Sequence, residues 1–146
     1  MLGHSLRCTA TEHNMILLHT RDVDEQWLQL LRAVGWELRR VEHLECQGLY
    51  NGSQKNRFAG TFTKLHAIAL EEFYKVLLLD ADVIIRRNVD HLFNRACPAA
   101  LRRDAAANTA DGECIDSRRF YGGGKNKVSG GINAGVMLLK PWYSMK

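Results

Sequence analysis

Asp80 and Asp82 stand one residue apart in the most apolar stretch of the chain, KVLLLDADVIIRRNVDHLF at residues 75–93. Removing a carboxylate from water is unfavourable by several kcal/mol or more, as an order of magnitude, unless it is paired or binds a metal. The pair therefore needs solvent, a cation or a partner. On an extended strand end, residues two apart point the same way. Both carboxylates then reach one ligand, and the small Ala81 between them keeps the backbone accessible. Two hard oxygen donors on one side suit Mg²⁺ or Mn²⁺ bridging to phosphate oxygens. Such a metal offsets the repulsion between the acids and neutralises charge on a departing diphosphate. The plain structural alternative is that one or both acids cap the turn that follows.

The elements around the acids determine whether they reach a ligand at all. NMILLHT at residues 14–20 is an apolar run of strand length. The next segment, DVDEQWLQLLRAVG, reads as a helix with Trp27, Leu30, Leu31 and Val34 on one face, acids in its first turn and Gly35 as its stop. Residues 36–44 have the partial alternation of a second strand, and CQGLYNGSQKNRFAG is turn-rich and reads as a loop. Residues 61–73 are predicted helical, with Leu65, Ile68 and Ala69 as the apolar stripe and Thr61 or Thr63 as a cap. KVLLL is then a buried strand, NVDHLF a turn of helix packing Leu92 and Phe93 inward, and AALRRD another strand. Residues 104–130 are rich in Ala, Asp, Gly and Ser and read as a long flexible loop. The triplet Gly122 to Gly124 lies there and reads as a link, being too short for a phosphate-binding glycine motif. Residues 131–141 form a last strand entered through glycine. The alternation of strand and helix predicts an α/β domain with a largely parallel sheet. Ligands of such sheets bind outside the carboxyl ends of the strands, where Asp80 and Asp82 fall.

Composition narrows the class. The chain has 146 residues, at most one domain, with 20 basic and 16 acidic residues. Its basic residues are spread in pairs, Arg39 with Arg40, Arg86 with Arg87, Arg102 with Arg103 and Arg118 with Arg119. No block is dense enough to argue for nucleic acid. Cys8, Cys46, Cys97 and Cys114 are far apart, without metal or redox spacing. Free thiols in a reducing compartment are the favoured reading, with two disulfides left open. No apolar leader or membrane-length run is present in this chain. The cytoplasm is slightly favoured, and the Golgi stays open if the parent protein carries an N-terminal anchor. Oligomeric state is not legible.

Two enzyme classes place D-x-D after an apolar strand. In haloacid-dehalogenase-like phosphohydrolases the first Asp is a nucleophile and the second a general acid/base. In nucleotide-sugar glycosyltransferases of the GT-A type the motif binds metal and diphosphate. The flanks favour the second. TFTKLHAIALEEFYKVLLLDADVIIRRNVDHLF at residues 61–93, followed by GGINAGVMLLKP at residues 130–141, strongly resembles glycosyltransferase family eight, the glycogenin and galactosyltransferase-like enzymes. LGHSLR and MILLHTRDV are also similar to that family's first helix end and second strand. The resemblance covers most of residues 2–141 and is weakest over 104–130. A third class, a degenerate domain binding a nucleotide or partner without turnover, remains an alternative.

The resemblance implies a Rossmann-like GT-A nucleotide-diphospho-sugar transferase fold and a retaining hexosyltransferase with a nucleotide sugar, first of all a UDP-sugar, as donor. Asp80 and Asp82 would coordinate Mn²⁺ or Mg²⁺ and through it the diphosphate, with Asp80 also near the ribose. Lys64 would reach the donor sugar or diphosphate, where a fixed cation meets developing phosphate charge. Arg57 would assist. Asn133 would hydrogen-bond donor-sugar hydroxyls, with Ala134 and Gly135 permitting close approach. The acceptor, whether carbohydrate, protein or lipid, is not specified. Beside these roles stand plain ones: Lys64 as an exposed helix lysine, Asn133 as a strand-start backbone partner, His66 as a packing residue. The resemblance also implies that residues 1–146 are one partial domain. The family's opening strand, its D-Q element, and its H-x-x-G-x-K segment with a third metal ligand are absent from these residues. The expectation is a gap between neighbouring strands and no activity from the fragment alone.

Overall fold

The computed structural model describes residues 1–44, 60–102 and 132–142. Leu2–Cys8 forms the first helix, α1, and Ile16–His19 the first strand, β1. Glu25–Val34 forms α2. It ends where the sequence predicts, because Gly35 takes φ 107°, a left-handed conformation that costs glycine nothing. The N–H groups of Gly35 and Trp36 then donate to the carbonyls of Arg32 and Leu31, at 2.9 and 3.2 Å. Arg7 adds a donor to the same helix end, its Nη1 lying 3.0 Å from Val34 O. The apolar face of α2 differs from the predicted one. Leu28 is buried, whereas Trp27 and Leu30 are 55% and 58% exposed. Leu28, Leu31 and Val34 share the covered face, which lies toward α1 and β2 (Glu37–Arg40).

Glu37–Arg40 forms β2, which pairs in parallel with β1 from Ile16 opposite Glu37 to His19 opposite Arg40. Val76–Leu79, Ala99–Arg102 and Ile132–Leu139 form β3, β4 and β5. They make a second sheet in the order β3-β5-β4. Both of its pairings are antiparallel, so the expectation of one largely parallel sheet is corrected for the strand that carries the acids. Hydrophobic periodicity identifies strands and leaves their direction open. A run such as VLLL suits either ladder. The mixture of helix and sheet agrees with an α/β class.

The segment Thr61–Ala69 is a 3₁₀ helix rather than the expected α-helix, and no side chain caps its start. With about three residues per turn, positions three apart stack. Lys64, Ala67 and Leu70 thus share one line, and Leu65, placed in the expected stripe, is 40% exposed. A second short 3₁₀ helix spans Asp90–Asn94. Among the described residues the buried apolar side chains are Leu2, Leu6, Leu28, Ala67, Leu138 and Pro141, gathered from both helices, the 3₁₀ helix, β5 and the chain just after it. Val76–Leu79 is half-buried throughout and not the covered strand expected. The cause is a groove of about 900 Å³ between β1 and β3, lined by Leu6, Leu17, Leu18, Ala67, Leu77 and Leu79. Each of these strands has a ladder partner on one side only among the described residues.

Candidate functional site

The register between β3 and β5 builds the site. Leu79 lies opposite Val136, so the next residue, Asp80, falls beside Gly135. The Asp80 N–H donates to Gly135 O at 2.9 Å, which ties the end of β3 to the glycine that closes the NAG segment. A Cβ on Gly135 would meet Asn133 Oδ1 at 2.9 Å and Asp80 Oδ2 at 3.3 Å. Only a residue without a side chain fits here without displacing a neighbour. Asn133 Oδ1 accepts from the Gly135 N–H at 2.8 Å and so fixes the local bend. The 3₁₀ helix brings Lys64 over the same point. Its Nζ donates to Asp80 Oδ1 at 2.7 Å and to Ala134 O at 3.2 Å.

Five expected site residues, Lys64, Asp80, Asn133, Ala134 and Gly135, are therefore brought together from three elements far apart in sequence. Ala134 contributes its carbonyl, a role that side-chain identity does not advertise. Arg57 lies outside the described residues, as do Cys46, Cys114 and the predicted loop at 104–130. Cys8 and Cys97 are free thiols. Ala81 and Asp82 follow Asp80 in a tight turn, closed by Val83 N–H donating to Asp80 O at 3.1 Å. The two acids are consequently not on one extended strand end, and alternation along a strand does not aim them. The turn does. Asp82 is exposed, and the Asp80 side chain is 40% exposed, so the acids form a wet rim on a half-buried strand.

Asn88 and Asp90 of the motif NVDHLF hold the local structure together. The Asp90 carboxylate accepts from Thr11 Oγ1 at 2.7 Å, Glu12 N–H at 3.1 Å and Asn88 Nδ2 at 3.1 Å. Burial pushes its pKa up, but these three hydrogen bonds and the nearby His13 outweigh that and hold it below the ordinary carboxylate value. Ser5 Oγ accepts from Ile85 N–H at 3.0 Å, so α1 is bound to the chain that leaves the acids. His66 places a ring nitrogen 2.9 Å from Glu42 O.

Sequence reasoning missed the residues across the groove. Thr20 and His43 line its mouth together with Thr63, Lys64, Asp80 and Ala81. His43 Nε2 lies 3.5 Å from Asp22 Oδ1. A hydrogen bond from Thr20, then from the backbone of Asp22 itself, holds the Asp22 carboxyl below its usual value, with His43 adding to this. The available signal was positional: Thr20 and His43 follow β1 and β2 at their carboxyl ends, the edge at which such sheets bind ligands.

Carboxylate oxygens such as those of Asp80 and Asp82 are the donors that would suit a hard divalent cation, which would keep further positions for phosphate and water. The Lys64 ammonium against Asp80 already stands in for positive charge at this point. Among the described residues no group of three or more His, Cys, Asp or Glu gathers around a common centre. No described helix is long and apolar enough to cross a membrane.

Residues 15–96, more than half of the chain, match a family model described as "Mannosyltransferase putative". The chain belongs to this glycosyltransferase family. An uncharacterized protein of Acanthamoeba polyphaga mimivirus is 34% identical over 151 residues, spanning all of this chain and 52% of that protein. Inositol phosphorylceramide glucuronosyltransferase 1 of Arabidopsis thaliana is 33% identical over 93 residues, 64% of this chain and 17% of the enzyme. Human glycogenin-1 is 30% identical over 97 residues, 65% of this chain and 28% of the enzyme. This glycosyltransferase chain thus spans about half the length of the mimivirus protein and less of the other two. Its likeness to glycogenin and to glucuronosyltransferases agrees with the resemblance to family eight seen in the motifs. Between the two enzyme classes that use D-x-D, the relatives favour glycosyl transfer over phosphate-ester hydrolysis.

Proposed function

We propose that the protein transfers a hexose from a nucleotide-diphosphate sugar, first of all a UDP-sugar, to an acceptor with retention of configuration, using a metal held by Asp80 and Asp82. The observation that carries this is the convergence of Lys64, Asp80 and the Asn133, Ala134, Gly135 backbone at the carboxyl end of β3. Asp80 and Asp82 would hold a Mn²⁺ or Mg²⁺ ion, which would supply Lewis-acid neutralisation of the leaving diphosphate. Lys64 adds a second positive charge on the groove side, where negative charge grows as the sugar departs. Gly135 keeps the backbone low beside Asp80, which leaves room for a sugar ring against the strand end. The Asn133 amide, with its oxygen fixed by the Gly135 N–H, retains its nitrogen for donor hydroxyls. The groove, whose lining includes Thr20 and His43, would offer space for the nucleoside. Retention would follow from attack of the acceptor on the face of the leaving diphosphate, the course that the resemblance to family eight implies.

The relatives' names differ in the sugar they carry, mannosyl against glucuronosyl, so the transferase class is shared and the donor is decided by assay. A panel of uridine and guanosine diphosphate sugars with Mn²⁺ is the test, read by nucleotide release and by NMR of the product anomer. Turnover lost on chelation and in Asp82→Asn supports the proposal. Mn²⁺-dependent UDP binding without turnover would favour a degenerate binding domain. Phosphate-ester hydrolysis abolished by Asp80→Asn would favour the phosphohydrolase.

A further inference from the structure

Resting on the metal role proposed for Asp80 and Asp82, we infer that Lys64 is an internal counter-cation. It holds Asp80 when the site is empty and transfers its charge to the donor phosphates when the site is loaded. The Lys64 ammonium lies 2.7 Å from Asp80 Oδ1, the distance of a charge-assisted hydrogen bond. A divalent cation on the same carboxylate places two positive centres within a few ångströms, where their repulsion is strong at a partly shielded site. The Lys64 side chain is 22% exposed and that of Asp80 40%, so solvent screens the pair only in part.

Lys64 Nζ donates to Ala134 O at 3.2 Å while it holds Asp80, and this neutral acceptor would retain the amine at the site as it swings away from the carboxylate. The four-carbon stem of lysine allows that short swing. Lys64 also lines the groove, so the displaced ammonium faces the space in which a diphosphate would lie. Two consequences of opposite sign follow. Without nucleotide, Lys64 competes with the metal for Asp80. With nucleotide, Lys64 pairs with phosphate and supports the metal–nucleotide complex. A residue that merely positions Asp80 would act with one sign in both states.

Calorimetric titration of MnCl₂ into wild type, Lys64→Met and Lys64→Arg, with and without saturating UDP, separates the two. Lys64→Met is expected to bind Mn²⁺ alone about three- to tenfold tighter than wild type, the scale of losing one partly screened like charge. In the presence of UDP it is expected to bind Mn²⁺ several-fold more weakly. Lys64→Arg should keep the wild-type order. Weaker binding in both states, or no change in either, overturns the inference. Should Lys64→Met fail to fold, NMR of lysine-labelled wild type during Mg²⁺ titration replaces it. A Lys64 signal that moves with Mg²⁺ and moves again with UDP supports the inference, and one unmoved by Mg²⁺ overturns it. Absence of Mn²⁺ binding in wild type, with or without UDP, sinks the metal role itself. Mn²⁺ binding that Asp82→Asn abolishes, without the sign reversal in Lys64→Met, sinks the counter-cation alone.

Discussion

Asp80 and Gly135 meet across the β3–β5 ladder, the Asp80 N–H on Gly135 O at 2.9 Å and Asp80 Oδ2 only 3.3 Å from where a Gly135 Cβ would stand. The glycine is part of the carboxylate's shape. Gly135→Ala forces the Asn133 side chain to move, since its Oδ1 is 2.9 Å from the added carbon. That atom ends a mobile side chain, so stability should fall by no more than about 1 kcal/mol. UDP affinity with Mn²⁺ should fall roughly tenfold, since Asn133 and Asp80 are both disturbed. Thermal melting alongside calorimetry measures both.

Asp80 and Asp82 are expected to separate in a paired mutational test. Asp82 is exposed, so Asp82→Asn should leave stability within about 0.5 kcal/mol while weakening Mn²⁺ binding. Asp80→Asn should weaken Mn²⁺ binding and also lose the ion pair to Lys64, which at this exposure contributes roughly 1 kcal/mol or less. Urea denaturation of both variants against wild type reads the difference. Equal stability of the two would mean that the Lys64–Asp80 pair contributes nothing to the fold.

Gly3 controls the contact of α1 with α2 and β2. A Cβ there would lie 2.7 Å from Trp36 Cε2 and 2.9 Å from Val34 Cγ1, and would also overlap Trp36 Nε1. Alanine gains about 1 kcal/mol of helix propensity, but overpacking of a closed contact costs about 1–3 kcal/mol. Gly3→Ala should therefore be net destabilising in a urea titration, and an unchanged or raised midpoint would contradict the packing described.

Asp90 sets part of the acid limb of stability. Its folded pKa lies below its unfolded value, despite burial, because Thr11, Glu12 N–H and Asn88 all donate to the carboxylate. Such a group contributes stability that is complete above the unfolded pKa and is lost as pH falls through the folded one. Asp90→Ala should lose about 1 kcal/mol at pH 7. The gap from wild type should narrow below about pH 4 as the native carboxylate takes its proton. A gap that stays constant down to acid pH would assign the loss to packing instead.

Much of the fold was legible as elements. Gly35 ends its helix in the predicted place because few other residues tolerate its backbone angle. ILLH, VLLL and INAGVMLL are strands as read from their apolar character. The face of α2 was misjudged because Trp27 and Leu30 are apolar and yet stay more than half exposed among the described residues. Periodicity reports which residues are apolar, and burial also depends on what packs against them. For the 3₁₀ helix, the assumed period of 3.6 put Leu65 inward, whereas the tighter turn aligned Lys64 with Ala67 and Leu70.

By itself the sequence determined the chemistry on offer: two carboxylates at a strand end, a lysine one element earlier, an Asn and a Gly in a later strand. These are residue types and local spacings, and side-chain chemistry is a local property. Only the tertiary structure decided that these groups meet. The antiparallel register seats Gly135 beside Asp80, the 3₁₀ pitch lays Lys64 across Asp80 Oδ1, and the Ala81–Asp82 turn displaces Asp82 from the strand line. Ladder direction, register and helix pitch depend on which surfaces close against one another, and that choice belongs to the whole chain rather than to any window of it.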